Sequence, residues 1–388
     1  LFDSFRMALQ PTKLLLGLTL LLLFYFGGLA LDLIWGESVF RWAFTAELSH
    51  FDALIGAATR LDLGLAALSP SAPNVGVVGA LRGMVIDTPA ALWASHPLFF
   101  VVLVSYGLTL ATVFGGAIAR LAATQACADT TVGLAEAARF VGARLGWLVL
   151  NPLAPLVAAG AIWLTLAVAG WALFHLPGLD VLGGLAFGLM LFGGFVAACL
   201  LLFVAFGAGL LPAALAVEGT DAFDVISRVF AFLIYRPMRY LLLSAVALVY
   251  GALTYLLVGL VVFLTLWFTR SATGVWVGEF DRLLPPPQLG QPLTPVDVDG
   301  LGVTQKATSW LIRVWSALLF GVSIAYAASY FFTAQTWVYL LLRRDVDGTA
   351  FAEYSPEPAS DDTPPASDKV EPAAADDTTE AGGDDASG

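Results

Sequence analysis

The chain has 388 residues, of which 59% are hydrophobic and only 12% are charged, and its mean hydropathy is +0.83. These values exclude a set of soluble domains and predict a membrane protein. The net charge of −12 lies in the C-terminal segment: residues 1–344 carry 17 basic and 17 acidic residues, whereas residues 345–388 carry one lysine and 13 acids. Because residues 1–344 carry equal numbers of basic and acidic residues, they are not expected to form a basic surface for nucleic acid. No nucleic acid is therefore expected among the partners.

Six uncharged stretches are long enough to cross a bilayer, which takes about 20 apolar residues in helical form. Lipid offers no partner to a backbone polar group, so each stretch is expected to be helical. The predicted fold class is an all-α polytopic membrane protein with six transmembrane helices and interfacial amphipathic helices. Within a transmembrane domain of residues 1–344, the predicted spans are about 14–35, 97–119, 147–175, 182–211, 240–268 and 310–342.

The first stretch also has features of a secretory signal peptide, because Arg6 and Lys13 precede an almost purely aliphatic run from Leu14 to Leu23. That run is longer than the usual apolar region of a signal peptide, and no clean cleavage pattern of small residues follows it. We therefore favour a retained membrane anchor.

Basic residues near the ends of spans set the orientation of a membrane protein. With the N-terminus inside, the six spans leave 11 lysines and arginines on the cytoplasmic side and seven outside, where the loops are longer. Arginine outnumbers lysine 15 to 3, a bias that fits a GC-rich bacterial genome. The predicted location is the bacterial cytoplasmic (inner) membrane, with a multi-pass topology and both termini cytoplasmic.

Two outer segments separate the spans. In residues 36–96, apolar side chains from Phe40 to Leu61 recur at steps of three and four residues, which predicts an amphipathic helix. This helix is expected to lie on the outer membrane-water interface or on the other helices. The second segment, 271–307, contains five prolines within 285–295 and is predicted to be a loop.

The two cytoplasmic connections resemble each other at a fixed offset of 92 residues: Asp129 corresponds to Asp221, and Arg144 to Arg236. We interpret the match as a duplication within 97–268 of a unit made of a span, a short amphipathic helix, an arginine and a second span. The alternative, that two segments rich in alanine, glycine and leucine match by composition, stays open.

The sequence of the second connection predicts where a helix starts, because Thr220 can cap a helix and Asp221 places negative charge in its first turn. An amphipathic helix followed by arginines and a new span predicts an elbow in the inner interface, where arginines contact lipid phosphates or pair with Asp221 and Glu218. An ordinary connector that binds nothing is the alternative. The candidate interfacial lipid or ion-pair contacts are Arg144, Arg228, Arg236, Arg239 and Asp221.

This elbow carries a resemblance to known proteins. The stretch Ala-Val-Glu-Gly-Thr-Asp-Ala-Phe-Asp-Val-Ile-Ser-Arg, residues 216–228, and the later Arg-Pro-Met-Arg-Tyr, residues 236–240, resemble uncharacterised multi-pass inner-membrane proteins of planctomycete-type bacteria. They are less closely similar to other bacterial helical membrane domains with an elbow between spans. The resemblance implies location and topology, with no activity to carry over.

The sequence holds no motif of catalysis or metal binding. HExxH, GxSxG, SxxK and a Walker A loop do not occur, and the three histidines lack the paired helical spacing of a zinc site. No catalytic residue, cofactor or metal is predicted. Tyr326 and Tyr330, one turn apart on the last span, form a candidate polar seam, although such hydroxyls more often serve helix packing. Gly184 and Gly188 form a GxxxG pair, a common packing device.

Residues 345–388 are expected to form a disordered acidic cytoplasmic tail, because they hold too few apolar side chains to build a core. The tail is expected either to bind a basic cytoplasmic partner or only to improve solubility. The sequence favours a non-enzymatic scaffold or accessory subunit that organises a partner protein or lipids of the bilayer. The alternative is a permease or channel-like carrier of a small neutral or lipidic molecule.

Overall fold

The computed structural model describes residues 1–69, 73–128, 130, 132–175, 179–219, 221–277, 284, 286–287 and 302–348. About 89% of the structure is helical, and the described residues form no strand. The all-α prediction is therefore confirmed. The predicted disordered tail, 345–388, starts too early, because residues 345–347 belong to the last helix. Residues beyond 348 lie outside the described part of the chain, and their disorder stays a prediction.

Most helices follow each other with short connections, but 28 residues separate the last two, α12 and α13. The predicted loop 271–307 is shorter than expected at both ends, because α12 continues to Gly274 and α13 begins at Val303, and most of the residues between them lie outside the described chain. A 3-10 turn, Leu65–Leu68, precedes α4, and a π-helical turn, Gly83–Asp87, joins α4 to α5. In chain order the helices are α1 (Asp3–Ala8), α2 (Pro11–Trp35), α3 (Val39–Thr59), α4 (Gly76–Arg82), α5 (Thr88–Ser95), α6 (Pro97–Ala128), α7 (Leu134–Ala143), α8 (Leu145–His175), α9 (Asp180–Gly207), α10 (Leu210–Glu218), α11 (Ala222–Tyr235), α12 (Pro237–Gly274) and α13 (Val303–Asp347).

In the described chain, seven helical segments are long and apolar enough to cross a membrane by length and composition. Six of them, α2, α6, α8, α9, α12 and α13, lie at the six predicted spans. The seventh, Gly76–Ser95, combines α4, the π-helical turn and α5, and it carries Arg82 and Asp87. The protein is thus a polytopic helical membrane protein, and the count of six spans stays a prediction.

Helices α2 and α6 run antiparallel. At one end, Lys13 Nζ donates to Gln125 Oε1 at 3.2 Å. At the other end, the rings of Trp35 and Phe99 pack edge to face with centroids 5.5 Å apart. The chain between these two helices therefore begins and ends at the same end of the bundle.

Both termini of the described chain lie at the end that holds Lys13. The indole Nε1 of Trp337, near the end of α13, donates to Met7 Sδ in α1 at 3.4 Å. We call this end the terminal end, and the end that holds Trp35 and Phe99 the distal end. The shared side of the two termini agrees with an even number of crossings between them.

The buried core is concentrated at the terminal end. All of residues 210–217 in α10 are buried, and the helix packs against α6 and α13. Arg120 of α6, itself 3% exposed, donates through Nη1 to the Ala216 carbonyl at 3.2 Å. Helices α8 and α9 pack chiefly on each other and expose their apolar side chains, as expected of helices that face lipid.

The two predicted copies share the same order of elements. α6, α7 and α8 form the first, and α9, α11 and α12 the second, with an amphipathic helix between two long ones in each. The second copy differs because α9 ends at Gly207 and the short α10 follows it. Asp221 caps α11, since its side chain accepts from Asp224 N at 2.9 Å, whereas the predicted cap Thr220 lies outside the described residues.

Residues 39–95 form a helical hairpin that begins at the distal end. The Asp32 carboxylate, at the end of α2, accepts from Phe40 N at 2.6 Å and from Arg41 N at 3.1 Å. These two N–H groups have no partner within the helix, because they belong to the first turn of α3. A carboxylate there also complements the positive end of the helix dipole, so Asp32 fixes where α3 starts.

Helix α3 then descends along α12 and α13. The Phe51 ring contacts the Tyr255 ring, with centroids 5.8 Å apart. Further on, Ala58 lines the same cavity as Ser244 and Gln335. Ser244 is about two turns from the start of α12 at the terminal end. Helix α3 therefore contacts other helices, which is one of the two arrangements expected for this segment, and its position relative to the membrane interface stays a prediction.

The return arm of the hairpin packs against α3. Burial raises the pKa of the Glu47 carboxyl, and a hydrogen bond from Thr88 in α5 opposes that rise. Next to the π-helical turn, a Cβ at Gly83 would lie 2.5 Å from the His50 ring. Glu47 and His50 thus face the return arm, whereas Phe51 and Ala58 face α12 and α13. In the first turns of α3, Phe40 and Phe44 pack against aromatic rings of α2.

Candidate functional site

The terminal end holds a buried ion cluster around Glu218. This residue closes α10, and Gly219 follows it with a φ of 69°, which ends the helix in the left-handed region. The Tyr339 hydroxyl donates to Glu218 Oε1 at 2.6 Å. Arg228 Nη1 lies 3.2 Å and Arg343 Nε 3.3 Å from the same oxygen, and the Glu218 side chain is 6% exposed. One carboxylate therefore joins α10, α11 and α13.

Two more arginines adjoin this cluster. The guanidinium carbons of Arg120 and Arg144 each lie 5.1 Å from the centroid of the Phe140 ring. Arg144 Nη2 also lies 3.3 Å from where a Cβ on Gly219 would be. The structure therefore brings two of the predicted contact residues, Arg144 and Arg228, to the same place.

The other predicted contact residues lie elsewhere. Arg239 pairs with Asp345 at 2.6 Å, and so it does not use Asp221 or Glu218. Arg236 is exposed at the start of α12, and Asp221 caps α11. Tyr339 and Arg343 were not among the predicted site residues, although their spacing of four residues places them on one face of a helix next to the predicted elbow.

At the distal end, an open cleft of about 960 Å³ borders the start of α3. Asp32 lines it, 6% exposed, with Arg41 Nε at 3.6 Å. The Glu37 and His96 side chains, 2.9 Å apart, lie on its rim.

Replacement of Asp32 by alanine is expected to lower the free energy of unfolding by about 2 kcal/mol, because a buried and a part-buried N–H group at the start of α3 lose their acceptor. The thermal unfolding midpoint in detergent should fall, and residues 36–96 should become more sensitive to protease. Glu37→Ala is the control, since an exposed ion pair contributes about 1 kcal/mol or less. Equal midpoints for the two variants would contradict the role of Asp32.

A lateral cavity of about 450 Å³ lies between α3, α12 and α13. Its walls combine aromatic and aliphatic side chains, with few polar groups. Both residues of the predicted polar seam, Tyr326 and Tyr330, line it. The lining residues are Phe51, Leu54, Ile55, Ala58, Ser244, Ala247, Leu248, Gly251, Ala252, Tyr255, Leu256, Tyr326, Ala327, Tyr330, Phe331, Ala334 and Gln335.

The polar atoms of this lateral cavity differ in how they are satisfied. The Tyr330 hydroxyl donates to the Ala247 carbonyl at 2.8 Å, which serves packing of α13 on α12. By contrast, Ser244 and Tyr326 interact with the side chains of Tyr240 and Thr254. The polar atoms Ser244 Oγ, Tyr326 OH and Gln335 Oε1 are themselves buried, so the surface that the cavity presents is almost wholly apolar.

A smaller cavity of about 320 Å³ lies under the second elbow, between α9, α11 and α12. Its lining is apolar apart from Cys199 and Tyr240, and the Tyr240 hydroxyl already donates to the Phe206 carbonyl at 2.6 Å. Within the described residues, no group of three histidine, cysteine, aspartate or glutamate side chains could hold a metal ion.

Comparisons of the chain with protein-family models, with curated proteins and with solved structures found no match.

Proposed function

We propose that this protein is a non-enzymatic integral membrane protein that binds a lipidic molecule in the lateral cavity between α3, α12 and α13. The observation that carries the proposal is a cavity of about 450 Å³ between three helices of the bundle, with an almost wholly apolar lining that includes a few tyrosines. Binding sites for small molecules combine an apolar lining with a few polar groups that fix orientation. This function develops the expectation of a protein that organises lipids.

The exposure of the cavity wall indicates how a ligand would reach the cavity. Leu248, one of the lining residues, is 72% exposed on the outside of the bundle, and Ala252 is also exposed. Side chains at these positions of a span face hydrocarbon, so a lipid has direct access to the cavity from the bilayer.

Filling the lateral cavity should displace its ligand. Ala252→Trp adds a large ring at the cavity wall, and we expect it to reduce severalfold the amount of lipid that copurifies with the protein in mild detergent, measured by native mass spectrometry. Ala245→Trp is the matched control, because Ala245 is exposed on the same helix and does not line the cavity. Equal lipid content in both variants and in the parent protein would contradict the proposed function.

We further propose a bacterial inner membrane, with the terminal end cytoplasmic and the distal end outside, as the distribution of basic residues favours. In a background without Cys127 and Cys199, a cysteine at Ser38 should react with an impermeant thiol reagent in intact cells. A cysteine at Val346 should react only after lysis.

The same reagent tests the hairpin. A cysteine at Asp62, near its tip, should be protected from outside, since α3 has by then descended towards the terminal end. Equal labelling at Asp62 and Ser38 would show that residues 36–96 lie on the outer surface. Labelling at Val346 without lysis would show that the proposed orientation is wrong.

A carrier of a small neutral or lipidic molecule is the second candidate function, and the course of α3 favours it. The start of this helix borders the distal cleft, and its later turns border the lateral cavity. One helix thus connects a site near each side of the membrane. Transfer of a labelled lipid between the leaflets of proteoliposomes would distinguish carriage from binding alone. A basic cytoplasmic partner for the acidic tail stays part of the proposal for either function.

A further inference from the structure

We infer that the cavity of about 320 Å³ under the second elbow holds one acyl chain of an anionic phospholipid whose phosphate binds Arg236. We call it the elbow cavity. This site is separate from the lateral cavity and goes beyond the proposed function. Three features carry the inference: the available charge of Arg236, its position beside the elbow cavity, and the opening of that cavity to the bilayer.

The structure divides the five predicted lipid or ion-pair contacts into two groups. Arg228 and Arg239 are in ion pairs, and Asp221 caps α11. The remaining two, Arg144 and Arg236, correspond to each other at the offset of 92 residues. Each lies between an amphipathic helix and the long helix that follows it.

These two arginines differ in what their side chains contact. The guanidinium carbon of Arg144 lies 5.1 Å from the centroid of the Phe140 ring, four residues earlier. The corresponding ring of the second copy, Phe232, packs instead on the Tyr339 ring, with centroids 5.6 Å apart. Arg236 is exposed, and in the described part of the chain its guanidinium makes no ion pair or hydrogen bond. Its N–H donors are therefore available to a ligand.

Arg236 adjoins the elbow cavity, because Ile234 and Pro237, on either side of it in the chain, both line the cavity. It also directly precedes α12, and basic residues at the start of a span lie at the depth of the lipid headgroups. A guanidinium can donate two parallel hydrogen bonds to a phosphate. A choline group would bring a second positive charge to the same place, so an anionic headgroup is favoured over a zwitterionic one.

The elbow cavity itself suits a hydrocarbon chain. The Tyr240 hydroxyl already donates to the Phe206 carbonyl, and the rest of the lining is apolar apart from the Cys199 thiol. The lining residues of α9 run from Cys199 to Phe206, which is about 10 Å along the helix axis. Leu202 and Leu241 also line the cavity and are 56% and 47% exposed, so a chain can enter it from the bilayer.

Photolabelling of the purified full-length protein in detergent micelles tests the inference. The probe is phosphatidylglycerol with a diazirine in the middle of one acyl chain, and mass spectrometry maps the labelled residues. We expect label on α9 between Cys199 and Phe206. Because α9 does not line the lateral cavity, the result is independent of the proposed function. Label spread evenly over the exposed faces of α8 and α9 would overturn the inference.

Competition by unlabelled molecules tests the ligand class. Phosphatidylglycerol should halve the label on α9 at a concentration at least fivefold lower than phosphatidylcholine with the same chains. Glycerol phosphate, the headgroup without chains, should not compete at the concentrations used for the lipids. Equal competition by the two lipids, or competition by glycerol phosphate as strong as by phosphatidylglycerol, would show that the inferred ligand is wrong.

Arg236→Gln should remove the preference for phosphatidylglycerol, because glutamine can donate a hydrogen bond but has no charge. The concentrations of the two lipids that halve the label should then lie within about twofold of each other. Arg139→Gln is the matched control, since Arg139 is an exposed arginine on the amphipathic helix of the first elbow and should leave the preference unchanged. Equal loss in both variants would indicate a general attraction of anionic lipid to the terminal end, and no site at Arg236.

Cys199→Trp tests the place of the acyl chain, because the added ring fills the elbow cavity. The label on α9 between Phe203 and Phe206 should fall at least fivefold. Ala198→Trp is the control, since Ala198 is exposed and does not line the cavity. Circular dichroism and thermal unfolding verify that each variant is folded. Equal label in the two tryptophan variants would show that the chain does not lie in the elbow cavity.

Discussion

Replacing Glu218 by alanine is expected to lower the free energy of unfolding by about 3–5 kcal/mol, because removal of one partner from a buried ion cluster leaves the others uncompensated. The variant would leave Arg228, Arg343 and the Tyr339 hydroxyl facing a space without their shared acceptor. The measurement is the thermal unfolding midpoint of the purified protein in detergent, together with its yield from the membrane. We expect a large fall in both.

Asp345→Ala provides the control for this prediction. Asp345 also pairs with an arginine, Arg239, but their side chains are 25% and 47% exposed. Solvent screens such a pair, so its loss should cost about 1 kcal/mol or less. A fall in midpoint after Glu218→Ala that is no larger than after Asp345→Ala would show that the cluster does not hold α10, α11 and α13 together.

Gly17→Leu is expected to be comparably disruptive. A Cβ at Gly17 would lie 2.6 Å from the carbonyl oxygen of Ala325, so α2 and α13 cross with their backbones in direct contact. A backbone atom cannot rotate away as a flexible side chain can, and the two helices would have to separate along their length. Overpacking of this kind costs about 3 kcal/mol, and more where helices must separate. The expected result is loss of folded protein from detergent extracts.

Gly188→Leu is the matched control, because a Cβ there meets no atom of the described chain within 4 Å. The same is true of Gly184, so the GxxxG pair of α9 packs against no described helix of this chain. Gly188→Leu should leave the unfolding midpoint nearly unchanged. Equal destabilisation by the two leucines would mean that the face of α9 with Gly184 and Gly188 is also packed. It would also show that the close contact of α2 and α13 at Gly17 is not exceptionally sensitive to a larger side chain.

The span-forming helices could be predicted from the sequence because the signal is physical and local. Charges are expelled from hydrocarbon, so the distance between successive charges marks where helices such as α2 and α12 lie. The position of residues 39–95 along the bundle could not be predicted in the same way. It depends on one side-chain contact at a distance, Asp32 with the start of α3, and on a pattern of apolar residues in α3 that suits a lipid interface and a helix surface equally.

The candidate sites, like the fold, could be predicted from the sequence only in part. The arginines of the elbows were predictable as a group, because basic residues beside a span favour the headgroup region. The acid that each arginine contacts could not be predicted. Arg228 and Arg343 meet at Glu218 only because α10 packs between α6 and α13. Tyr326 and Tyr330 were predicted as a seam from their spacing. Their place in the wall of a cavity depends on α3, which no local pattern could position.

The central claim is that a lipidic molecule lies between α3, α12 and α13. A density map of the protein in lipid nanodiscs would test it most directly. The account predicts an elongated density in the lateral cavity, along Phe51 and Tyr255. A map in which α3 lies directly on α12 and α13 with no space between them, or on the outer surface away from the bundle, would contradict the claim.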